Sequence, residues 1–452
     1  MNRFRQSLPA PETGPLLTVY FIFTLGFSIV LPFLVYVVKD FGGNEIVYGL
    51  VGATYSGFQL IGSPLLGGWS DHTGRKNMLL LSQLGTAFSW GLFLLAFYLP
   101  EAVLSHIQHP WLGSVALSLP LLVLLGARAL DGLTGGNVSV AQAYLADLSD
   151  DRSRQRNFGW MGVAGNLGFI LGPALAGLLG QTSLQYRLPV MVALGISLLA
   201  ATYIAFGLPE SPQSVRQQQS ASPSKSGPRQ RRASLGFLLR FRPIPRLLML
   251  YFLIFLGFNL FYTGFPVHSA ETLKWEAGQL GIFLAILSGA MALVQGPLMS
   301  NIAGRFPNHH LMIAGSLLLG LNFAFLTQSH PAFIYSAALL FALGNGLMWP
   351  SFLALLARMA DGPYQGAVQG YGNSAGSLAS IGGLILGGVL YHRLEGTLFW
   401  LSAGVFVLVL LLSLSLGKVR APQWTSTGAH PATGEAEQEP QIPSDAYSRS
   451  HS

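Results

Sequence analysis

Along most of this chain, apolar runs of roughly 20 residues alternate with short polar turns, and at 1.5 Å per residue each run is long enough to cross a hydrocarbon core of about 30 Å. After a polar start ending at Gly14, the first run covers 16–38. It is too long for the apolar region of a signal peptide, and no small-residue cleavage site follows, so it reads as a retained span. Further runs cover 47–69, 78–99, 112–145, 158–179 and 188–208. The fourth is longer than a membrane needs, so only part of it belongs in hydrocarbon. Residues 209–245 are rich in Ser, Gln, Pro and Arg, a composition that cannot bury a core and predicts a flexible linker. A second set of runs follows at 246–266, 278–303, 311–327, 332–357, 368–390 and 397–416. The pattern predicts an all-α membrane protein of twelve transmembrane helices: an N-terminal segment 1–15, a six-helix bundle 16–208, the linker 209–245, a second six-helix bundle 246–417, and a polar tail 418–452 predicted to be disordered.

Composition fits this reading. Hydrophobic residues make up 51% of the chain and charged residues 10%, with a mean hydropathy of +0.49, whereas soluble domains carry about 25% charged residues. The absence of Cys excludes disulfides, thiolate metal ligands and a cysteine nucleophile. No paired acids, histidine cluster or nucleophile elbow points to an enzyme, and no motif points to a nucleotide, metal or other cofactor. The net charge of +7 is explained by position. Assigning each of the 25 Lys and Arg residues to a loop puts twenty on the side that holds both termini, four on the other (Lys39, Arg187, Lys274, Arg393), and Arg128 in a span. The excess of basic loops predicts that both termini and the linker face the cytoplasm, and it makes a nucleic-acid partner unnecessary.

Charge inside the apolar runs is rare. Asp131 is the one acid, and Arg128 the one base, placed well inside a predicted span. Three residues apart on a helix, they share a face. Intramembrane charge is costly and marks ion or substrate paths. Burial and a neighbouring guanidinium change a carboxyl's proton affinity in opposite senses, while the guanidinium keeps its own proton. Asp131 is therefore read as a proton-carrying group and Arg128 as the residue that tunes it. The competing reading is a static ion pair, which breaks even energetically at best. Tyr55, Gln59, Asn137, Asn166, Asn259, Tyr262, Asn345, Trp349, Tyr371 and Asn373 are the candidates to line a cavity, about half of them being expected to do so and the rest to serve helix packing. Aromatic faces with few charges suit amphipathic compounds.

The halves echo each other. Gly159, Gly165, Leu167, Gly172 and Gly177 reappear as Gly370, Gly376, Leu378, Gly383 and Gly388 at a constant offset of 211, and Asp71, Gly74 and Arg75 recur as Asn301, Gly304 and Arg305 at an offset of 230. A duplicated six-helix unit is expected of secondary transporters, with substrate bound between repeats near the midplane.

The segment Gly67-Gly68-Trp69-Ser70-Asp71-His72-Thr73-Gly74-Arg75-Lys76 resembles the loop signature between helices 2 and 3 of the major facilitator superfamily, with Trp69 and His72 departing from it. Arg128 with Gly132-Leu133-Thr134-Gly135 resembles the family's helix 4 motif. Tyr144-Leu145-Ala146-Asp147 is similar to the segment that follows it in tetracycline exporters, and Gly165, Gly168, Gly172, Pro173 and Gly177 are similar to the helix 5 antiporter motif. The resemblance is to the twelve-helix drug:proton antiporters, tetracycline-efflux-like proteins in particular. It implies two pseudo-symmetric six-helix bundles, a gating loop at Gly67, Asp71, Gly74, Arg75 and Lys76, and a hinge-like helix 5 contact between halves. It also implies proton-coupled efflux of small amphipathic compounds by alternating access, from a monomer in a plasma membrane, most simply a bacterial inner membrane. Where tetracycline exporters carry a helix 1 acid, this chain reads Phe23-Thr24-Leu25-Gly26-Phe27-Ser28, so the role of Asp131 rests on its physics. The alternative is an uncoupled facilitator or importer of an organic anion or metabolite, with Arg128 as counter-charge.

Overall fold

The computed structural model describes residues 11–109, 113–150, 153–211, 235–241, 243–302, 305–359 and 365–416. The first span is α1 (Gly14–Ser28) and α2 (Leu34–Asp40), separated by turns over 29–33. Pro32 lies in that break, where its missing N–H and its ring prevent a continuous helix. α3 (Glu45–Thr73) and α4 (Arg75–Ala96) are spans 2 and 3. The fourth span is α5 (Leu119–Thr134) and α6 (Asn137–Asp147), broken at Gly135-Gly136, and spans 5 and 6 are α7 (Arg154–Leu179) and α8 (Arg187–Gly207). The second half holds α9 (Pro243–Glu271), α10 (Ala277–Leu293), α11 (Asn308–Leu326), α12 (Pro331–Met359), α13 (Gln365–Leu394) and α14 (Leu398–Leu414). α10 continues through a π-helical turn, Val294–Leu298, into Met299–Ile302. These are the twelve spans of a multi-pass membrane protein.

Eight stretches of the described residues are long and apolar enough to cross a membrane by length and composition, and Val368–Leu414 alone holds two helices. α1 and α10 fall short because their spans are interrupted. α3 has 29 residues, but Tyr55, Ser56, Gln59 and Ser63 dilute its hydropathy. Spans 1, 3, 5, 7, 9 and 11 run from the side of the chain termini, called here the terminal side, to the opposite distal side.

One predicted boundary is corrected. The run that reads as the start of the fourth span is a strand: β1 (Val103–His109) and β2 (Gly113–Ser118) form an antiparallel hairpin on the distal side, with Ile107 opposite Val115. A short apolar run does not by itself distinguish strand from helix. The change of structure falls at Ser118, whose Oγ accepts from Leu121 N at 3.3 Å and donates to Phe41 O at 2.6 Å. The end of the predicted linker also contributes to the core, since Leu238 and Phe241 are buried in the second half.

The 211-residue repeat is a packing rule. In α7, an added Cβ at Gly165 would lie 3.0 Å from Tyr20, at Gly168 2.1 Å from Thr24 Oγ1, and at Gly172 2.0 Å from Ser28 Oγ, all on α1. In α13, an added Cβ at Gly376 would lie 2.6 Å from Tyr251 and at Gly383 2.9 Å from Asn259, both on α9. One or two turns farther on, both helices cross to the other half. Gly177 lies against Gly278 and Gly281 of α10, and Gly388 against Glu45 and Ile46 of α3. Without side chains these backbones approach closely, the contact that holds membrane helices together where water does not drive association. The small-residue stripe thus ties span 5 to span 1 and span 8, and span 11 to span 7 and span 2. Of the second repeat, Gly304 and the side chain of Asn301 lie outside the described residues.

Candidate transport site

α5 carries the buried charges. Arg128 and Asp131 are 5% and 7% exposed, and Arg128 Nη1 donates to Asp131 Oδ2 at 3.0 Å. Thr86 of α4 donates to Asp131 Oδ1 at 3.1 Å. The Arg128 guanidinium stands 4.7 Å over the Tyr55 ring of α3, and its Nε has no hydrogen-bond partner. Such a face contact suits a desolvated guanidinium. Gly132, one turn along, makes this possible: an added Cβ would lie 2.3 Å from Tyr55 O, so α5 approaches α3 at backbone distance. The ion pair is therefore held by residues of three helices, all of the first half: Thr86 on the carboxylate and Tyr55 under the guanidinium.

Asp131 faces a cavity of about 480 Å³. Its wall includes Phe23, Phe27 and Thr24 of α1, Tyr55 and Gln59 of α3, Gln83, Thr86 and Trp90 of α4, Phe169 of α7, and Phe255 of α9 from the other half. Gln59 Nε2 donates to Tyr55 OH at 2.9 Å and to Gly135 O at 3.3 Å, and Gln83 Nε2 donates to Ser197 O at 3.2 Å. Arg128 is not among the lining residues and lies behind the carboxylate. The space thus offers aromatic faces, amide dipoles and one carboxylate to a small molecule.

Of the sequence-predicted cavity residues, Tyr55, Gln59 and Asn137 line this space. The others occupy helix contacts. Asn166 reaches Gln295 of the opposite half at 3.4 Å. Asn259 donates to Phe255 O and Ser380 Oγ, and Asn373 Oδ1 accepts from Tyr251 OH at 2.9 Å. Asn345 is buried beside Met291, and Trp349 packs edge-on against Tyr251 and Phe255. Tyr371 packs against the second-half core, and Tyr262 is 38% exposed, its carbonyl accepting from Tyr48 OH at 3.3 Å. Sequence reasoning missed Thr86, Gln83, Trp90 and the α1 aromatics, which carry no charge and sit in ordinary apolar runs. Their one local signal was a polar residue recurring within span 3.

The loop motif is locked within the first half. Gly74 has φ +98, a backbone conformation for which glycine is suited, and an added Cβ would lie 2.6 Å from Glu210 Oε2. Arg75 pairs with Asp71 at 2.6 Å and with Asp147 at 3.0 Å. Asp147 also accepts from Ser211 Oγ at 3.1 Å, and Glu210 Oε1 from the Lys76 backbone N–H at 3.2 Å. Gly67 lies near Ser139 of α6, and its carbonyl accepts from Ser70 Oγ at 2.6 Å. The loop therefore clasps the terminal end of α6 and the segment after α8. In the helix 5 stripe, Gly165, Gly168 and Gly172 face α1 of the same half, while Pro173 O and Gly177 meet Gly281 of α10 across the divide.

The sequence profile of the Major Facilitator Superfamily matches residues 16–309 and 247–444. The chain belongs to this superfamily. Among its relatives, the class E tetracycline resistance protein of Escherichia coli is 28% identical over 406 residues, covering 88% of this chain and 93% of that protein. Multidrug resistance protein 1 of Bacillus subtilis (strain 168) is 28% identical over 388 residues, covering 83% and 88%. Among solved structures, the inward open xylose transporter XylE from E. coli aligns with a TM-score of 0.67 at 17% identity, over 89% of this chain and 94% of that one. The human organic anion transporter MFSD10 (TETRAN) aligns at 0.62 and 21% identity, over 90% and 100%. These likenesses establish the twelve-helix superfamily fold.

Proposed function

We propose that this superfamily member exports small amphipathic, partly aromatic compounds in exchange for protons, with Asp131 as the proton-carrying group and Arg128 as the residue that tunes it. The observation that carries the reading is the position of Asp131: its carboxylate lines the cavity while its ion-pair partner stands behind it. A cationic or zwitterionic guest entering among the rings can displace the proton from that carboxylate. Coupling follows if Asp131 binds its proton with different affinity in the two access states, because only differential affinity shifts an equilibrium. The tetracycline and multidrug resistance relatives support efflux and this class of cargo. The basic loops on the terminal side support a cytoplasmic location for both termini, and bacterial relatives support an inner membrane. The loop from Gly67 to Lys76 acts as the terminal-side gate, and the protein works as a monomer. Uncoupled movement of an organic anion on Arg128 is the weaker reading, because the guanidinium is committed to Asp131 and Tyr55.

The test uses purified protein in liposomes with an imposed pH gradient and a pH-sensitive dye inside. Tetracyclines, lipophilic cations and organic anions are added to wild type and Asp131→Asn. The expected result is that a compound releases protons in wild type and not in the variant, with proton-driven accumulation lost and exchange retained. Compound movement without proton flux, or unchanged uphill transport in the variant, would sink the proposal.

A further inference from the structure

No acid stands at positions 23–28 of the first span, yet four titratable side chains meet on the distal rim, far from Asp131. Lys39 at the end of α2 pairs with Glu271 at the end of α9 at 2.7 Å. Glu45, the first residue of α3, contacts His392 Nδ1 of α13 at 3.2 Å. The two ion pairs adjoin: Lys39 with Glu271 and Glu45 with His392 stand side by side on the rim, close enough for the two carboxyl groups to act on each other's protonation. Lys39 and Glu45 belong to the first half, Glu271 and His392 to the second. Each of these contacts therefore crosses the divide between the halves.

The surroundings make this the seam that must part for the distal side to open. An added Cβ at Gly388 would lie 2.5 Å from Glu45 O, and one at Gly49 2.3 Å from Leu384 O, so α3 and α13 touch backbone to backbone beside the cluster. Tyr36 OH donates to Trp275 O at 2.7 Å across the same rim. The first residue of β2 adjoins it, with Gly113 against His392 and Asn44. Behind Glu271, Tyr391 OH contacts His268 Nδ1 at 3.2 Å and Thr272 Oγ1 at 3.1 Å. Glu395 lies within electrostatic range of Tyr391, and Glu276 within range of Tyr36.

We propose that Glu45 and Glu271 form a proton-binding carboxyl pair, so that closing the distal rim takes up one proton and opening it releases that proton. Two carboxyl groups brought side by side disfavour each other's ionisation, and a proton on one of them relieves the repulsion. With that proton in place, Lys39 balances the one remaining negative charge. Without it, two carboxylates face each other, and separating the halves relieves the repulsion. Closure is thus favoured at low pH and lost as pH rises. Given the orientation in the proposed function, on which this inference rests, the rim faces the proton-rich side, and the site links protonation to closure without an acid at positions 23–28 of the first span.

The chain has no cysteine, so a spin-label pair introduces no competing thiol. Thr182→Cys on the loop after α7 and Gln328→Cys on the loop after α11 place labels on the two halves of the distal side. Distances are measured by double electron–electron resonance in liposomes between about pH 5 and 9, in wild type and in Asp131→Asn, alone or with Glu45→Gln, Glu271→Gln or His392→Asn. One linked proton makes the ratio of closed to open rim change by up to about tenfold per pH unit, within the window between the pair's proton affinities in the open and closed states. In the Asp131→Asn background, where the inner carboxyl no longer contributes to the pH dependence, the response should remain, should survive added His392→Asn, and should vanish on adding Glu45→Gln or Glu271→Gln, with Glu271→Gln held closed because its amide still donates. A response in the Asp131→Asn background that persists with both Gln substitutions, or one that is absent there or lost with His392→Asn, overturns the proposal. If liposomes show no proton flux while the rim response behaves as expected, proton-coupled efflux fails and the carboxyl pair stands.

Discussion

The two charge clusters of this protein differ in which parts of the molecule hold them. Arg128 and Asp131 sit on one helix, and the partners that fix them, Thr86 and Tyr55, belong to the same half. Lys39, Glu45, Glu271 and His392 pair with one another across the halves. When the halves move as rigid bodies, the first cluster keeps its geometry and the second comes apart. A charge inside one half therefore detects access state only through what enters the cavity beside it. A charge at the seam detects the state directly. The same logic separates the glycines: Gly168 keeps α7 against α1 within a half, whereas Gly49 and Gly388 set the approach of α3 and α13 between halves.

The sharpest way to break this comparison is to unpair the inner cluster. Arg128→Ala leaves a buried carboxylate without its counter-charge, an effect of about 3–5 kcal/mol. Thermal unfolding in detergent should fall accordingly, and Arg128→Ala with Asp131→Ala together should recover part of the loss. A double variant no more stable than the single one would mean the pair contributes nothing. Next in size are the glycines, where overpacking costs about 1–3 kcal/mol. Gly168→Val should lower the unfolding temperature and leave the rim distance unchanged. Gly49→Val should shift the rim toward open, because parting the halves is its easiest relief. Equal effects of both on rim distance would erase the distinction. The smallest effect is expected for Lys39→Ala: its pair with Glu271 is about one-third exposed on each side, and such pairs contribute about 0.2–1 kcal/mol. The rim equilibrium should move less than in Glu271→Gln; a larger shift would make Lys39 the principal latch.

Much of the architecture was legible in the apolar runs, because a bilayer demands long stretches whose backbone bonds close within the segment. The exceptions have local causes visible afterwards. Pro32 interrupts span 1, Gly135-Gly136 interrupts span 4, and a strand of β-hairpin replaces the beginning of the run at 112–145. Asp131 was legible because a carboxyl in apolar sequence is rare. Thr86 and Gln83, which complete its surroundings, were not, since a Thr or Gln in a span is common and only tertiary contact distinguishes cavity from packing. For the same reason Asn259, Asn345 and Asn373 read alike in sequence, and tertiary contact alone gives them their partners Ser380, Met291 and Tyr251.

The sequence by itself determined the twelve spans, the duplication, the side on which the basic loops gather and the one charged pair inside a helix. Each is a property of residues near one another in the chain, where hydropathy, periodicity and i,i+3 spacing act locally. Only the tertiary structure decided that the α7 and α13 glycines first grip one helix of their own half and then one of the other. It also decided that Arg128 stands behind Asp131, and that Glu45 and Glu271, separated by half the chain in sequence, share a seam. Those facts depend on how two similar bundles meet, and in a bilayer that meeting is set by close backbone approach and side-chain pairing between distant segments, which no local pattern encodes.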